Sequence, residues 1–221
     1  MSCIRKTIGL VERVRITGSK GSVEADAMID TGASSNSMDY KIAARSGIGP
    51  IVSSVRIKSA FRQHRRPVTH AKIEISGETF KTRANLEDRS NRTYKVLIGR
   101  PLLKHFLVDI DQGSGKEKEI IGLIENVKIG SETMPAKFDT GASHSSINRK
   151  LAEKIGFQGT REIKVGNAVD AQKRPSGTLK IMIKGKTFSI IASVSDRSHM
   201  GYPVLIGRDI IASHFIIDVS R

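Results

Sequence analysis

The chain has 221 residues, of which 38% are hydrophobic and 27% charged, so its composition is that of a folded globular protein rather than a disordered one. No apolar run approaches the roughly 20 residues that a membrane-spanning helix requires, and the N-terminus does not lead into the apolar stretch of a signal peptide. The net charge of +15 favours anionic partners, such as nucleic acid or an acidic polypeptide.

The single cysteine, Cys3, excludes an internal disulfide. Disulfides are typical of oxidising compartments, so we expect a cytoplasmic protein without membrane contact. Because only 5% of the residues are aromatic and none is tryptophan, the chain is poorly supplied with platforms for stacking single-stranded nucleic acid.

Short strands dominate the first half of the chain. Runs of β-branched residues bounded by Gly, Ser or Pro predict strands at 11–16, 23–29, 54–59, 69–75 and 95–98. Two short helices are predicted, at 39–45 before Gly47 and at 101–104, where Pro101 suits a first helical position.

The second half repeats this order. Strands are predicted at 127–129, 136–138, 162–165, 179–183 and 203–206, with helices at 148–155 and 209–212. Asp-Thr-Gly-Ala-Ser occurs at 30–34 and 139–143, and Val-Leu-Ile-Gly-Arg at 96–100 and 204–208. We therefore predict a duplicated unit, with lobes at 1–112 and 121–221 that are related by a pseudo-twofold axis and joined by a linker at 113–120.

Asp30 and Asp139 are the candidate catalytic residues. A single Asp-Thr-Gly is an ordinary turn sequence, but two copies at equivalent places of a duplicated unit favour a shared role. Two carboxylates held close together share one proton, so that one acts as a base and the other as an acid. The predicted supporting residues of the two loops are Thr31, Gly32, Ala33, Ser34, Thr140, Gly141, Ala142 and Ser143. In this interpretation the glycines allow a tight turn, the threonines bond across the axis, and the serines join the local hydrogen bonds.

These motifs resemble the retropepsin-type aspartic proteases, whose hallmarks are Asp-Thr-Gly-Ala and a later Gly-Arg after two apolar residues. The resemblance implies an all-β, acid-protease (retropepsin/pepsin-like) barrel fold with short helices in each lobe. Retroviral members are homodimers that contribute one Asp each. This chain would carry both in one polypeptide and act as a monomeric pseudo-dimer.

The chain also resembles a retropepsin-like family associated with RimK-type glutamate ligases and often labelled as ATP-dependent zinc proteases. The residues that carry this likeness are Arg-Arg-Pro-Val at 65–68, the segment 200–208 and Phe-Ile-Ile-Asp at 215–218. The sequence has no His-Glu-x-x-His, no cysteine pair and no phosphate-binding loop, so we expect no metal and no cofactor. His105 and His214, which are equivalent in the repeat, are expected to make structural hydrogen bonds.

Two basic stretches, at 60–67 and 168–175, stand where retroviral proteases carry their flaps. Each is a candidate hairpin tip, and a solvated charged hairpin is the alternative interpretation. The candidate substrate-binding residues are Arg62, Arg65, Arg66, Lys173 and Arg174. Arginine and lysine in a cleft would pair with the carboxylates of an acidic peptide. Together with the implied link to glutamate ligases, this predicts cleavage of glutamate-rich peptides.

The leading hypothesis is thus an aspartic endopeptidase that acts on a peptide or protein substrate. The alternative is a catalytically silent retropepsin-like module that binds nucleic acid or ribosomal partners through its positive charge. A zinc hydrolase is a third hypothesis, for which the residues offer little support.

Overall fold

The computed structural model describes residues 5–58, 63–166, 171–198 and 200–221. The chain divides into two compact units, Met1–Asp109 and Ile110–Arg221. The linker predicted at 113–120 therefore falls within the second unit. There a short 3-10 helix, Gln112–Ser114, precedes a strand that begins at Glu119.

The first unit is built around a closed six-stranded barrel. Its strands are β2 (Val11–Gly18), β3 (Gly21–Ile29), β4 (Asn36–Asp39), β6 (Gln63–Ile75), β7 (Glu78–Glu87) and β8 (Val96–Ile98). The strand order is β2-β3-β8-β4-β7-β6, and pairing of β2 with β6 closes the barrel. A further strand, β5 (Ile51–Lys58), forms a hairpin with the first part of β6. A separate pair of short strands, β1 (Thr7–Ile8) and β9 (Leu107–Val108), runs parallel.

The second unit repeats this arrangement strand for strand. Its barrel consists of β11 (Ile124–Ile129), β12 (Glu132–Phe138), β13 (Ser146–Asn148), β15 (Ala171–Ile183), β16 (Lys186–Ser195) and β17 (Val204–Ile206). The order is β11-β12-β17-β13-β16-β15, closed by pairing of β11 with β15, and β14 (Arg161–Gly166) forms a hairpin with β15. The parallel pair of this unit is β10 (Glu119–Gly122) with β18 (Phe215–Asp218).

Each unit carries two short helices. α1 (Tyr40–Ser46) and α3 (Arg149–Lys154) begin after Asp39 and Asn148, whose side chains accept hydrogen bonds from the backbone N–H groups of Lys41 and Lys150. Such side-chain caps satisfy donors that a helix start leaves unpaired. α2 (Arg100–Leu103) and α4 (Arg208–His214) follow the two Gly-Arg pairs.

The apolar residues of alternating strand positions fill the interior of each barrel. Ile16, Ile73 and Ile98 are fully buried in the first unit, and Phe138 and Ile181 in the second. This period-two burial is the expected consequence of strands with one face turned toward a core.

The predicted all-β fold class, with barrels of the acid-protease type and short helices, is confirmed. The strand predictions were incomplete, because several strands lack a strong β-branched signal. The missed strands include β4, β7, β13 and β16. The residues Gln63–Ile75 and Ala171–Ile183 form much longer strands than predicted, so Arg65, Arg66, Lys173 and Arg174 lie on paired strand arms rather than at hairpin tips.

Candidate active site

Asp30 and Asp139 occupy the same position in their respective units. Each follows the end of a barrel strand, and its backbone N–H donates to the carbonyl of the parallel neighbour, Ile98 at 2.9 Å and Ile206 at 2.9 Å. The strand β8 pairs in parallel with β3 on one side and antiparallel with β4 on the other. The Asp30 loop, which joins β3 to β4, therefore wraps around the end of β8. The Asp139 loop wraps around β17 in the same way.

Both carboxylates are half-buried and accept a backbone hydrogen bond from their own loop. The N–H of Ala33 donates to Asp30 Oδ1 at 3.1 Å, and the N–H of Gly141 donates to Asp139 Oδ1 at 2.9 Å. The predicted role of the glycine as a nearby donor is thus seen at Gly141, and in the first loop Ala33 donates to Asp30. A hydrogen bond of this kind fixes the orientation of the carboxylate that accepts it.

Backbone hydrogen bonds from the Gly-Arg pairs hold the Asp loops in position. The N–H of Arg100 donates to the carbonyl of Ala33 at 3.0 Å, and that of Arg208 to Ala142 at 2.9 Å. A Cβ on Gly99 would stand 2.6 Å from the carbonyl oxygen of Ser35. Glycine is required there because the backbone of the loop approaches so closely, not because of an unusual φ.

Side chains that follow each Asp motif complete this support. Gly99 donates its N–H to Asn36 Oδ1 at 2.9 Å, and Gly207 donates to Ser145 Oγ at 3.1 Å. Ser145 in turn donates to Asp209 Oδ1 at 2.9 Å. The two units thus use different residues, an amide and a hydroxyl–carboxylate pair, for one purpose.

The structure corrects the predicted role of the two loop serines. Ser34 and Ser143 are exposed, and neither side chain makes a hydrogen bond to the residues that the structure describes. The side chains that bond to the Gly-Arg segments are instead those of Asn36 and Ser145, two residues further along each loop. Thr31 and Thr140 are fully buried, and the guanidinium of Arg208 donates to the carbonyl of Thr140 at 3.3 Å.

The candidate substrate-binding residues have different surroundings. Arg62 lies outside the described residues. Arg65 is exposed opposite Arg56, and Lys173 is exposed with its Nζ 3.7 Å from Glu162 Oε2. Arg174 is half-buried, and burial lowers the pKa of its guanidinium.

Arg66 belongs to a largely buried charge cluster that was not predicted from the sequence. Glu87 bridges two guanidinium groups, with Oε2 at 2.5 Å from Arg66 Nη2 and Oε1 at 2.5 Å from Arg89 Nη1. Arg89 also donates from Nε to the carbonyl of Tyr94 at 3.0 Å. Burial lowers the pKa of Arg89, while the Glu87 carboxylate opposes that effect.

The second unit has the equivalent arginine, Arg197, which is 6% exposed. Its Nε donates to the carbonyl of Tyr202 at 3.1 Å and its Nη1 to Ser146 Oγ at 3.1 Å. Burial lowers the pKa of Arg197, the negative charge of Asp139 raises it, and the positive charge of Arg174 lowers it. The signal that could have revealed this pair is the repeat Asp-Arg-Ser at 88–90 and 196–198, each followed by a tyrosine.

The equivalent histidines pack against aromatic rings. His105 stacks on Phe80 with ring centroids 4.9 Å apart, and His214 lies 4.8 Å from the ring of Phe188. They therefore take part in structural packing through their rings. In the described part of the chain, no three His, Cys, Asp or Glu residues cluster in a way that would hold a metal ion. No helix formed by the described residues is long and apolar enough to cross a membrane.

Comparison with known proteins points to proteases in the second unit. The family model described as aspartyl protease matches residues 125–210, the segment that contains Asp139 and Gly207. No curated protein sequence matches the chain.

Among solved structures, a Legionella pneumophila protein of unknown function is 22% identical and has a TM-score of 0.34, over 48% of this chain and 96% of that one. The simian foamy virus protease is 12% identical with a TM-score of 0.33, over 40% of this chain and 90% of its own. A foamy viral protease–reverse transcriptase in complex with an RNA/DNA hybrid is 18% identical with a TM-score of 0.34, over 40% and 11%. Likenesses this distant do not identify an activity, and the match to the aspartyl protease family model covers residues 125–210.

Proposed function

We propose that the protein is an aspartic endopeptidase in which Asp30 and Asp139 act together on one peptide bond. The observation that carries the proposal is the equivalent backbone construction of the two Asp loops. Each presents a half-buried carboxylate that is oriented by a backbone N–H, and each is fixed by a Gly-Arg pair. A fold alone has no need for two such carboxylates.

In the proposed mechanism the two aspartates share one proton and hold a water molecule between them. The ionised carboxylate takes a proton from this water while the water oxygen attacks the carbonyl carbon of the peptide bond. The protonated carboxyl donates a hydrogen bond to the carbonyl oxygen, which carries the developing negative charge. Transfer of a proton to the amide nitrogen then allows the C–N bond to break, which releases an amine and a carboxylic acid.

The proposed substrates are peptides rich in acidic residues. The support is the net charge of +15 and the basic strands β6 and β15, which carry the exposed side chains of Arg65 and Lys173. Positive charge raises the local concentration of anionic ligands and the rate at which they associate.

Peptide hydrolysis by wild type and two single variants tests the proposal. Asp30→Asn and Asp139→Asn are each expected to lower kcat by roughly 10³-fold or more, because neither asparagine can hold or transfer the shared proton. Asp26→Asn makes the same chemical change four residues away on an exposed side chain, and it should leave the rate unchanged. Full activity in either active-site variant, with circular dichroism showing an intact fold, would refute the shared mechanism.

The charge also supports a second candidate function, a binding module for nucleic acid. Contacts with phosphates release counterions, so such binding weakens steeply as salt increases. Tight, salt-sensitive RNA binding by a protein that cleaves no peptide would favour this function over the peptidase.

A further inference from the structure

The two units differ in the charge that lies between two equivalent arginines. In the first unit the Glu87 carboxylate bridges Arg66 and Arg89. In the second unit the position of Glu87 is taken by Ser195. Glu87 is the last residue of β7 and Ser195 the last residue of β16. Glu87 pairs with Asp39, the N-cap of α1, and Ser195 pairs with Asn148, the N-cap of α3.

The arginines themselves are retained in the second unit. Arg174 pairs with Ile163 across the β14–β15 hairpin as Arg66 pairs with Val55 across β5–β6. Arg197 donates to the carbonyl of Tyr202 as Arg89 donates to that of Tyr94. The positive charge of Arg174 acts on Arg197 just as that of Arg66 acts on Arg89. The second unit therefore keeps the two cations of the cluster and replaces the anion with a small hydroxyl.

Arg197 makes two hydrogen bonds, and both go to neutral oxygens. Within the part of the chain that the structure describes, no carboxylate lies within 4.0 Å of its nitrogens and its Nη2 makes no hydrogen bond. Burial lowers the pKa of its guanidinium, and the charge of Asp139 offsets that effect only in part. Because a buried guanidinium without a bonded carboxylate is unfavourable, a ligand carboxylate at this place would stabilise Arg197.

We propose that Arg197 and Arg174 form a subsite that binds a carboxylate of the peptide substrate at the place that Glu87 occupies in the first unit. The Asp139 carboxylate and the Arg197 guanidinium belong to the same unit, and their charges interact. A planar guanidinium suits a carboxylate because two parallel N–H groups match its two oxygens. The role of this subsite in substrate choice rests on the proposed peptidase function, whereas carboxylate binding itself does not.

Filling the subsite from within the chain tests the proposal. In Ser195→Glu the new carboxylate stands where Glu87 stands in the first unit, so it should displace the ligand, whereas Ser195→Gln adds a similar volume without charge. Binding is measured by fluorescence anisotropy in an Asp30→Asn background, which separates binding from cleavage. The probes are an alanine-rich peptide with one central Glu and an amidated C-terminus, its Gln counterpart, and the Gln peptide with a free C-terminal carboxylate.

The Glu peptide is expected to bind roughly tenfold or more tightly than the amidated Gln peptide, the difference expected for a charge-assisted hydrogen bond. Ser195→Glu should abolish this preference and Ser195→Gln should retain it. Arg174→Gln, a change on a half-buried strand arm, should weaken the preference even if Ser195→Glu fails to fold. Preference for the free C-terminus instead would assign the subsite to a terminal carboxylate.

Equal binding of all three peptides to the Asp30→Asn protein, or a preference that survives both Ser195→Glu and Arg174→Gln, would overturn the subsite. These outcomes are distinct from failure of the peptidase proposal. A protein that prefers the Glu peptide in binding but, with Asp30 intact, cleaves no peptide keeps the subsite and loses the enzymatic function.

Discussion

The absence of a side chain at Gly99 and Gly207 determines how closely the Gly-Arg segments approach the Asp loops. A Cβ on Gly99 would stand 2.6 Å from Ser35 O and 2.9 Å from Ala33 O, and both of these are backbone atoms. Backbone in a hydrogen-bonded loop cannot move aside as the end of a flexible side chain can. The position of the Asp30 carboxylate therefore depends on a glycine more than sixty residues away in the chain.

Gly99→Ala is accordingly expected to lower the free energy of unfolding by about 1–3 kcal/mol, the usual cost of overpacking. It should also reduce kcat, because the displaced loop carries Asp30. Urea unfolding and peptide hydrolysis measure the two effects. Gly113→Ala is the matched control, because a Cβ there meets nothing within 4 Å. A stable, fully active Gly99→Ala protein would contradict the role assigned to this contact.

Glu125 gives a prediction about pH. Its burial raises the carboxyl pKa, but hydrogen bonds from Lys184 and from the N–H of Gly122, together with the positive charges of Lys184 and Arg221, lower the pKa below the ordinary 4.5. Because the folded protein binds this proton less tightly than the unfolded chain, Glu125 stabilises the fold above pH 4.5, and that contribution is lost as the pH falls through the folded pKa.

Glu125→Gln is thus expected to cost about 1 kcal/mol of unfolding free energy at pH 7 and clearly less at pH 3. Chemical denaturation at the two pH values measures the difference. Glu78→Gln, which removes an exposed partner of Lys6, should show little change at either pH. An equal loss for Glu125→Gln at both pH values would show that packing, rather than charge, is what the substitution removes.

At the scale of elements, the equivalent strands β7 and β16 differ in the charge at their ends. The end of β7 carries Glu87 between two arginines, whereas the end of β16 carries Ser195. Removing one member of a buried charge cluster leaves the others without compensation. Substitution of Glu87 in the first unit should therefore reduce stability more than substitution of Ser195 in the second.

Glu87→Gln is expected to destabilise the protein by about 3–5 kcal/mol, because Arg66 and Arg89 lose their carboxylate. Ser195→Gln removes no charged partner from an arginine, so it should lower the free energy of unfolding much less. Thermal and urea unfolding of the two variants provide the comparison. If both substitutions shift unfolding equally, the Glu87 cluster contributes no more than its packing.

Much of each element pattern could be predicted from the sequence, and what was missed has physical reasons. The helix starts at Tyr40 and Arg149 follow from the capping residues before them. Most strands with β-branched runs were placed within a few residues, whereas β6 and β15 begin well before the predicted strands. β4 and β13 are too short and polar to carry a strand signal in the sequence. They form strands because their backbones pair with strands distant in the chain. The charge cluster of Glu87 and Arg89 was missed because it also depends on Arg66, which lies on another strand. Strand pairing, rather than closeness in the sequence, brings Arg66 to Glu87.

At the scale of the whole molecule, the net charge of +15 predicts how salt affects the proposed reaction. Steering of an acidic substrate by surface charge is screened when the Debye length falls to about 3 Å at 1 M salt. We expect kcat/KM for a glutamate-rich peptide to fall steeply between low salt and 1 M, while that for a neutral peptide changes little. Parallel salt dependences for the two peptides would show that charge does not select the substrate.

The central claim is that Asp30 and Asp139, one from each unit, form a single catalytic group. The most direct test is a double-mutant cycle on single-turnover peptide hydrolysis with Asp30→Asn, Asp139→Asn and the combined variant. A shared proton predicts that each single variant is as inactive as the double, because residues that act as a unit are strongly non-additive. Losses that multiply in the double variant, or a single variant that keeps about half of the wild-type rate, would contradict the claim.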